Sequence, residues 1–172
     1  MSVLISKEQL INLLNGDLQL EYSAALQYIQ HASVMTGAQF DAIREHLGEH
    51  ADEEMEHAKL LSDRIAYMGG TPVAAPDMSA IRLSDNARYM LALDLDGERT
   101  AITRYKERVE QANLLKEYGL AQMLMEILSD EEEHEDDLVN SLGTGMESAQ
   151  VPPVQNAEQF VKLARMEQKR KS

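Results

Sequence analysis

Residues 51–59 read ADEEMEHAK, and the Glu-x-x-His inside this stretch is the pattern from which the fold can be worked out. The same motif returns 77 residues later, in the run DEEEHEDD at residues 130–137. Three positions separate each glutamate from its histidine, so the two side chains lie on one face of a helix. A single pair of this kind is common on solvated helices. Whether the two motifs indicate a metal site depends on which other residues also recur 77 positions apart.

The sequence matches itself when it is shifted by 77 residues. EYSAALQY at residues 21–28 then falls on ERTAITRY at residues 98–105, so Tyr28 meets Tyr105. Six metal-binding residue types also stand in register, namely Glu21, Glu54 and His57 with Glu98, Glu131 and His134. The chain therefore predicts two similar halves related by a pseudo-twofold axis.

Long helices separated by glycine- and proline-containing breaks account for most of the chain. Four helices are predicted, at about residues 6–35, 41–68, 85–112 and 120–142. Ser6 and Gln9 have the spacing of a capping box at the start of the first. Short turns join the helices within each half, whereas 16 residues connect the halves and can run the length of a helix. This predicts an all-α fold, an antiparallel four-helix bundle with one long crossover.

Length and charge set further limits. We expect residues 1–145 to form the bundle, and residues 146–172 to form a linker and a short amphipathic helix or tail from about Ala157. The formal net charge of -14 argues against nucleic acid as a partner. The absence of cysteine excludes disulfides and thiolate metal sites. Neither a signal peptide nor a membrane span is apparent, so the expected location is the cytoplasm, with no membrane partner.

Each predicted helix carries one glutamate on its apolar stripe, halfway along its length. Four buried carboxylates are costly unless protons, arginines or cations neutralise them. Two divalent cations would balance four glutamates, and two imidazoles would complete the two coordination spheres. Carboxylate and imidazole without thiolate suit iron or manganese, and zinc also fits. Glutamate from two helices and Glu-x-x-His from the other two is the arrangement found in di-metal carboxylate bundles.

On these residues the chain resembles the ferritin-like superfamily, and the bacterioferritin family most closely. The resemblance spans residues ~5–143 and is strongest in four pieces, DLQLEYSAALQY, ADEEMEHA, MGGTP and EILSDEEEHEDDL. It implies a di-iron centre that oxidises Fe(II) with O2 or H2O2 and stores the ferric product as mineral. Glu21 and Glu98 would be terminal ligands and Glu54 and Glu131 bridging ligands. His57 and His134 would each bind one iron.

The resemblance implies further roles outside this ligand set. Tyr28 matches a tyrosine that hydrogen-bonds or donates electrons at the bacterioferritin centre, and otherwise it fills core. Met55 matches a methionine that binds haem b between two subunits, and otherwise it is soft interface packing. Its position about 100° round the helix from Glu54 makes it face sideways or outward. The family also implies a homo-oligomer, at least a dimer, and cages of 24 subunits.

Several roles and functions stay open. His50, Asp17 and Asp94 are each one turn from a proposed ligand, which predicts outer-sphere partners or, for His50, a step on an iron route. The remaining acids beside the motifs are expected to be solvated. A rubrerythrin-like peroxidase would call for a further glutamate where Ala101 stands. Two more functions fit the same residues: a di-metal oxidase that stores no mineral, and a bundle with a purely structural metal.

Overall fold

The computed structural model of this protein describes residues 5–143 and the backbone of residues 155–156. Within this part, four long α-helices follow the order that the sequence predicts. They are α1 (Lys7–Val34), α2 (Asp41–Tyr67), α3 (Ala87–Leu114) and α4 (Tyr118–Leu142), with one 3-10 turn at Ala38–Phe40. The expected helix from Ala157 and the boundary at residue 145 lie outside the described residues.

Local sequence sets where the helices begin. The Ser6 side chain accepts from Gln9 N and the Gln9 side chain accepts from Ser6 N, so the predicted capping box is confirmed. Helix α3 begins at Ala87, about two residues later than predicted, because the Asn86 side chain caps it by accepting from the backbone amides of Arg88 and Tyr89.

The turn between α3 and α4 is shorter than predicted. Both helices extend into the expected break, which leaves only residues 115–117, and Lys116 closes the turn with a φ of 60°. Gly119 lies inside α4 because the Arg64 guanidinium packs there: a Cβ at this position would be 2.5 Å from Arg64 Nη2. Gly119 therefore does not break the helix; its missing side chain allows Arg64 of α2 to approach α4 closely.

The crossover contains a feature that the sequence did not predict. Strand β1 (Arg82–Leu83) pairs antiparallel with β2 (Gln155–Asn156), with Arg82 opposite Asn156. Two residues are too few for an alternating pattern to be recognised. The pairing ties the residues after the bundle to the long connection.

The helices pack as two hairpins, α1 with α2 and α3 with α4. Two apolar clusters fill the ends of the bundle. One contains Leu10, Leu14, Leu61, Ile65 and Leu124, and the other contains Met35, Leu47, Leu91, Leu95 and Leu138. Along every helix, a short belt of buried polar residues separates these two clusters. No helix of residues 5–143 is long and apolar enough to cross a membrane.

Candidate metal centre

The belt between the apolar clusters contains all six predicted metal ligands. Each helix contributes one glutamate, and α2 and α4 each add a histidine one turn later. All six side chains are buried: Glu21, Glu54, His57, Glu98, Glu131 and His134. The structure thus brings together residues up to 113 positions apart in the chain.

The six side chains form two overlapping groups. One contains Glu21, Glu54, His57 and Glu131, and the other contains Glu54, Glu98, Glu131 and His134. Within each group, one ligand atom from every residue lies within 4.8 Å of the others. Glu54 and Glu131 belong to both groups, so their carboxylates lie between two adjacent positions for a cation.

Two further acids orient the histidine rings. His57 Nε2 lies 3.2 Å from Asp130 Oδ2, and His134 Nε2 lies 2.7 Å from Glu53 Oε2. Asp130 and Glu53 are themselves 77 residues apart, so the pseudo-twofold axis relates the two contacts. An Nε2–H donated to a carboxylate fixes the tautomer in which Nδ1 has a free lone pair. Glu53 is exposed, as expected, and its contact with His134 is an additional role that the sequence did not predict.

Several buried atoms at the centre of these groups have no hydrogen-bond partner among the described residues. They are Glu21 Oε2, both carboxylate oxygens of Glu131, and Nδ1 of His57 and of His134. Buried polar atoms in proteins are almost always paired, and unpaired ones require an explanation. Hard oxygen donors and imidazole nitrogens turned toward one another are the donor set of iron, manganese or zinc. The residues present therefore fit two such cations.

Without a metal, protons balance the charge. Burial, reinforced by repulsion from Glu54 and Glu131, raises the pKa of Glu21 and of Glu98 well above the usual range. Burial also opposes ionisation of Glu54 and Glu131, but the adjacent rings of His57 and His134 outweigh it for Glu54 and help to hold the pKa of both glutamates below normal.

The pKa values of the two histidines shift in the direction opposite to the one that burial alone would produce. Burial lowers the pKa of a histidine, but the surrounding glutamates outweigh it and raise the pKa of His134 to about 10. They raise the pKa of His57 as well. In the metal-free centre these shifts favour protonated histidines and protonated Glu21 and Glu98, and they favour ionised Glu54 and Glu131.

A tyrosine hydrogen-bonds each of the two glutamates that belong to one group only. Tyr28 OH donates to Glu98 Oε1, and Tyr105 OH donates to Glu21 Oε1 at 2.6 Å. Each bond joins the two halves of the chain, since every tyrosine reaches the glutamate of the other half. Burial and the adjacent carboxylates raise the pKa of both phenols well above the usual range, which keeps them protonated donors.

Asp17 and Asp94, expected to be outer-sphere acceptors, are buried and accept hydrogen bonds from side chains other than the six candidate ligands. Arg108 Nε donates to Asp17 Oδ2 at 2.7 Å, whereas His31 Nδ1 lies 2.9 Å from Asp94 Oδ1. Gln27 also donates to Asp94. The shift by 77 pairs His31 with Arg108, but the residue types differ, so a comparison by identity overlooks them.

A cavity of about 260 Å³ reaches the centre from the side of α1 and α3, below the crossover. Its wall includes all four buried glutamates and Tyr28. Ala24 and Ala101 also line it, and their small side chains leave the space open. The cavity is large enough for small molecules or ions to approach the carboxylates.

Two other predicted residues lie outside the centre. Met55 is 47% exposed on α2, so its expected outward orientation is confirmed. His50 is 3% exposed and its ring stacks on that of His134 with the centroids 4.1 Å apart. His50 Nε2 lies 3.4 Å from Asp137, and His50 Nδ1 has no partner among the described residues.

The chain is similar to known proteins in sequence and in fold. Residues 11–146 match the Ferritin family, described as the ferritin-like domain. The chain belongs to the ferritin-like family. Among its ferritin-like relatives is a bacterioferritin from Brucella melitensis, which is 34% identical over 134 residues, 78% of this chain and 83% of the relative.

Solved structures agree with this assignment. One is a Rhodobacter capsulatus bacterioferritin described with a metal-free dinuclear site and a haem iron in a crystallographic special position. It is 26% identical, with a TM-score of 0.72, covering 78% of this chain and 84% of that one. Another is a dodecameric thioferritin, the bacterioferritin-related protein from Bacteroides fragilis. It is 29% identical, with a TM-score of 0.72, covering 96% of this ferritin-like chain and 92% of its own.

Proposed function

We propose that this protein binds two Fe(II) ions in the buried belt, oxidises them and passes the ferric iron to storage. The observation that supports this most directly is the pair of overlapping four-residue groups that share Glu54 and Glu131. Glu21 and His57 complete the first group, and Glu98 and His134 complete the second. Membership of the ferritin-like family and similarity to bacterioferritins support the choice of iron.

The donor set favours loss of electrons from iron. Hard carboxylate oxygens stabilise the more highly charged Fe(III) over Fe(II), which lowers the reduction potential. Two adjacent Fe(II) ions together supply two electrons, enough to reduce one O2 to H2O2 or one H2O2 to water. Glu54 and Glu131, shared by both groups, hold the two ions close enough for this joint transfer.

The same side chains exchange protons for metal. The raised pKa values of two glutamates and two histidines favour their protonated forms in the metal-free centre. Binding two divalent ions would release these four protons, so the charge of the belt stays balanced throughout. The buried site can therefore fill and empty without an uncompensated charge.

Tyr28 has a second part in this proposal. It hydrogen-bonds Glu98 and lines the cavity below the crossover, whereas its counterpart Tyr105 does not line that cavity. A phenol beside a terminal ligand holds the carboxylate in place and can donate an electron to the centre. We assign Tyr28 this catalytic role.

The protein is further proposed to act as a homo-oligomer. Among its relatives, one is described as a dodecamer, and the bacterioferritin family implies 24 subunits. Half-exposed Met55 is proposed to lie between two subunits and to bind haem b there with its counterpart from the other subunit. A Soret band in the purified protein, lost in Met55→Ala, would support haem binding, and its absence after haem addition would exclude it.

One experiment tests the proposed function. The metal-free protein is loaded with excess Fe(II) under anaerobic conditions, O2 is admitted, and the products are separated by size with iron detection. Storage predicts a large particle that elutes with far more than two irons per chain. A small oligomer with about two irons would contradict storage and favour a peroxidase or an oxidase. Slow oxidation, at the rate without protein, would contradict the ferroxidase itself.

A further inference from the structure

A second cluster of metal-binding residue types lies one helical turn from the centre. His46 and His50 lie four residues apart on α2, and Asp137 is on the facing part of α4. Histidines at this spacing project from one helix face and can bind one ion together. The cluster shares no residue with the six side chains of the centre.

The distances in this cluster fit a cation better than hydrogen bonds. His46 Nδ1 lies 3.5 Å and His50 Nε2 lies 3.4 Å from the same atom, Asp137 Oδ2. Both exceed the ~2.7–3.2 Å of an ordinary N–H···O bond. Two ligands that each lie ~2.1 Å from a tetrahedral ion are ~3.4 Å apart. Each imidazole nitrogen is therefore separated from Asp137 Oδ2 by the distance expected of two ligands of one tetrahedral ion, and one ligand atom from each of the three residues lies within 4.8 Å of the others.

Burial gives the cluster a closed side and an open side. The His50 ring is almost fully buried, so a ligand nitrogen on it is shielded from solvent. His46 and Asp137 instead border a surface pocket of about 560 Å³, whose wall also includes Arg88. An ion here would have protein ligands on one side and room for water on the other.

The pseudo-twofold axis shows that packing does not require these residues. The positions related to His46, His50 and Asp137 by the shift of 77 are Met123, Ile127 and Leu60. The opposite end of the bundle therefore uses apolar side chains where this end has two imidazoles and a carboxylate. Ile127 is fully buried there and belongs to the apolar core.

We propose that His46, His50 and Asp137 form a third, mononuclear site for a divalent transition-metal ion. Two imidazoles and one carboxylate suit Zn²⁺, Fe²⁺ or Mn²⁺, with water in the remaining position. Stacking of the His50 ring on that of His134 places the site beside the dinuclear centre, on the way to the surface pocket. The site does not depend on the proposed ferroxidase activity.

Zn²⁺ binding to the full chain tests the proposal without measuring activity. Equilibrium dialysis at low free Zn²⁺ and moderate salt would compare the wild type with His46→Ala/Asp137→Ala. We expect three Zn²⁺ per chain in the wild type and two in the variant, with affinity for the third lowered more than about tenfold. A control, Glu45→Ala/Asp136→Ala, removes two adjacent exposed acids and should still bind three.

The outcomes separate this proposal from the proposed function. One Zn²⁺ in the wild type and none in the variant would support the third site while contradicting the dinuclear centre. Equal binding by wild type and variant would overturn the third site. Zinc anomalous scattering from wild-type crystals provides a measurement that does not depend on how the variant folds. A peak between the three side chains supports the site, and its absence at full zinc loading overturns it.

Discussion

Glu53 Oε2 lies 2.7 Å from His134 Nε2, although Glu53 belongs to the other half of the chain and its side chain is more than half exposed. Asp130 has the equivalent contact with His57. Each proposed ligand histidine is thus oriented by an acid that immediately precedes a shared glutamate in the sequence. Both acids lie on the solvent-exposed sides of their helices, yet they determine which ring nitrogen of each histidine faces the centre.

Removing these acids should weaken metal binding without removing a ligand. We expect Glu53→Ala to lower the affinity of one of the two sites by about 10–100-fold, because His134 loses the acceptor that fixes its tautomer. Asp130→Ala should act in the same way through His57. Zn²⁺ titration of the metal-free protein measures both. Glu56→Ala, which removes an exposed acid that pairs with Lys59, is the matched control. An unchanged Zn²⁺ affinity in Glu53→Ala would contradict the proposal that Glu53 orients His134.

The two kinds of glutamate should respond differently to substitution. Glu54→Ala removes a carboxylate common to both groups, so we expect it to lose both ions of the centre and to abolish rapid Fe(II) oxidation. Glu21→Ala removes a member of one group only and should leave one ion bound. Metal content per chain and stopped-flow oxidation give the two readouts. Glu132→Ala, at an exposed residue that pairs with Lys106, should behave as wild type. Rapid oxidation by Glu54→Ala would refute the assigned site.

Tyr28 and Tyr105 provide a matched pair of substitutions. Both phenols hydrogen-bond a terminal glutamate, but only Tyr28 lines the cavity that reaches the centre. We expect Tyr28→Phe to slow Fe(II) oxidation by about tenfold or more, equivalent to roughly 1.4 kcal/mol or more in the barrier. Tyr105→Phe should slow it less. A tyrosyl radical detected by electron paramagnetic resonance in the wild type should be absent from Tyr28→Phe. Equal effects of the two substitutions would assign both tyrosines to packing and hydrogen bonding alone.

The metal-free protein should lose stability as pH rises. The pKa of His134 is raised from 6.5 to about 10, so the folded protein holds a proton that the unfolded chain releases. Its contribution is complete below about pH 6.5 and disappears as the pH approaches 10. The raised pKa values of Glu21 and Glu98 act in the same direction, whereas the lowered pKa of Glu54 matters only in acid.

The midpoint of thermal unfolding, measured between pH 7 and pH 10 with and without Zn²⁺, tests this dependence. We expect the midpoint of the metal-free protein to fall across this range, and bound Zn²⁺ to reduce the fall because metal replaces the protons. A midpoint that is constant or rises with pH in the metal-free protein would contradict the protonation scheme.

The buried pair of Asp94 and His31 should contribute strongly to stability. Asp94→Ala would leave His31 and Gln27 without their shared acceptor in the core, and breaking a buried pair typically costs about 3–5 kcal/mol. Asp96→Ala, two residues away, removes only an exposed partner of Arg82 and should cost about 0–1 kcal/mol. Denaturant unfolding of both metal-free variants at one protein concentration makes the comparison. Similar losses of unfolding free energy in the two variants would show that the buried pair contributes no more to stability than the exposed one.

The sequence predicted the centre better than its surroundings. Comparison of the sequence with itself at a shift of 77 revealed Glu21, His57 and their counterparts, because the same residue types occupy equivalent positions on the two sides of the pseudo-twofold axis. The partners of Asp17 and Asp94 escaped notice because arginine in one half and histidine in the other serve the same purpose. Glu53 is exposed as predicted, but its contact with His134 was not predicted, because helical angle describes where a side chain begins and not how far it reaches toward another helix.

The repeat also has a consequence for how the centre is assembled. Each group of four takes three residues from one half of the chain and the fourth from the other. An ion bound in either group would therefore act as a cross-link between hairpins. A chain half as long, pairing with a second copy of itself about the same axis, would bring the same six side chains together. In this chain the two halves are covalently linked and can differ in sequence, whereas two identical copies could not. A cluster such as His46, His50 and Asp137 can therefore occur once rather than twice.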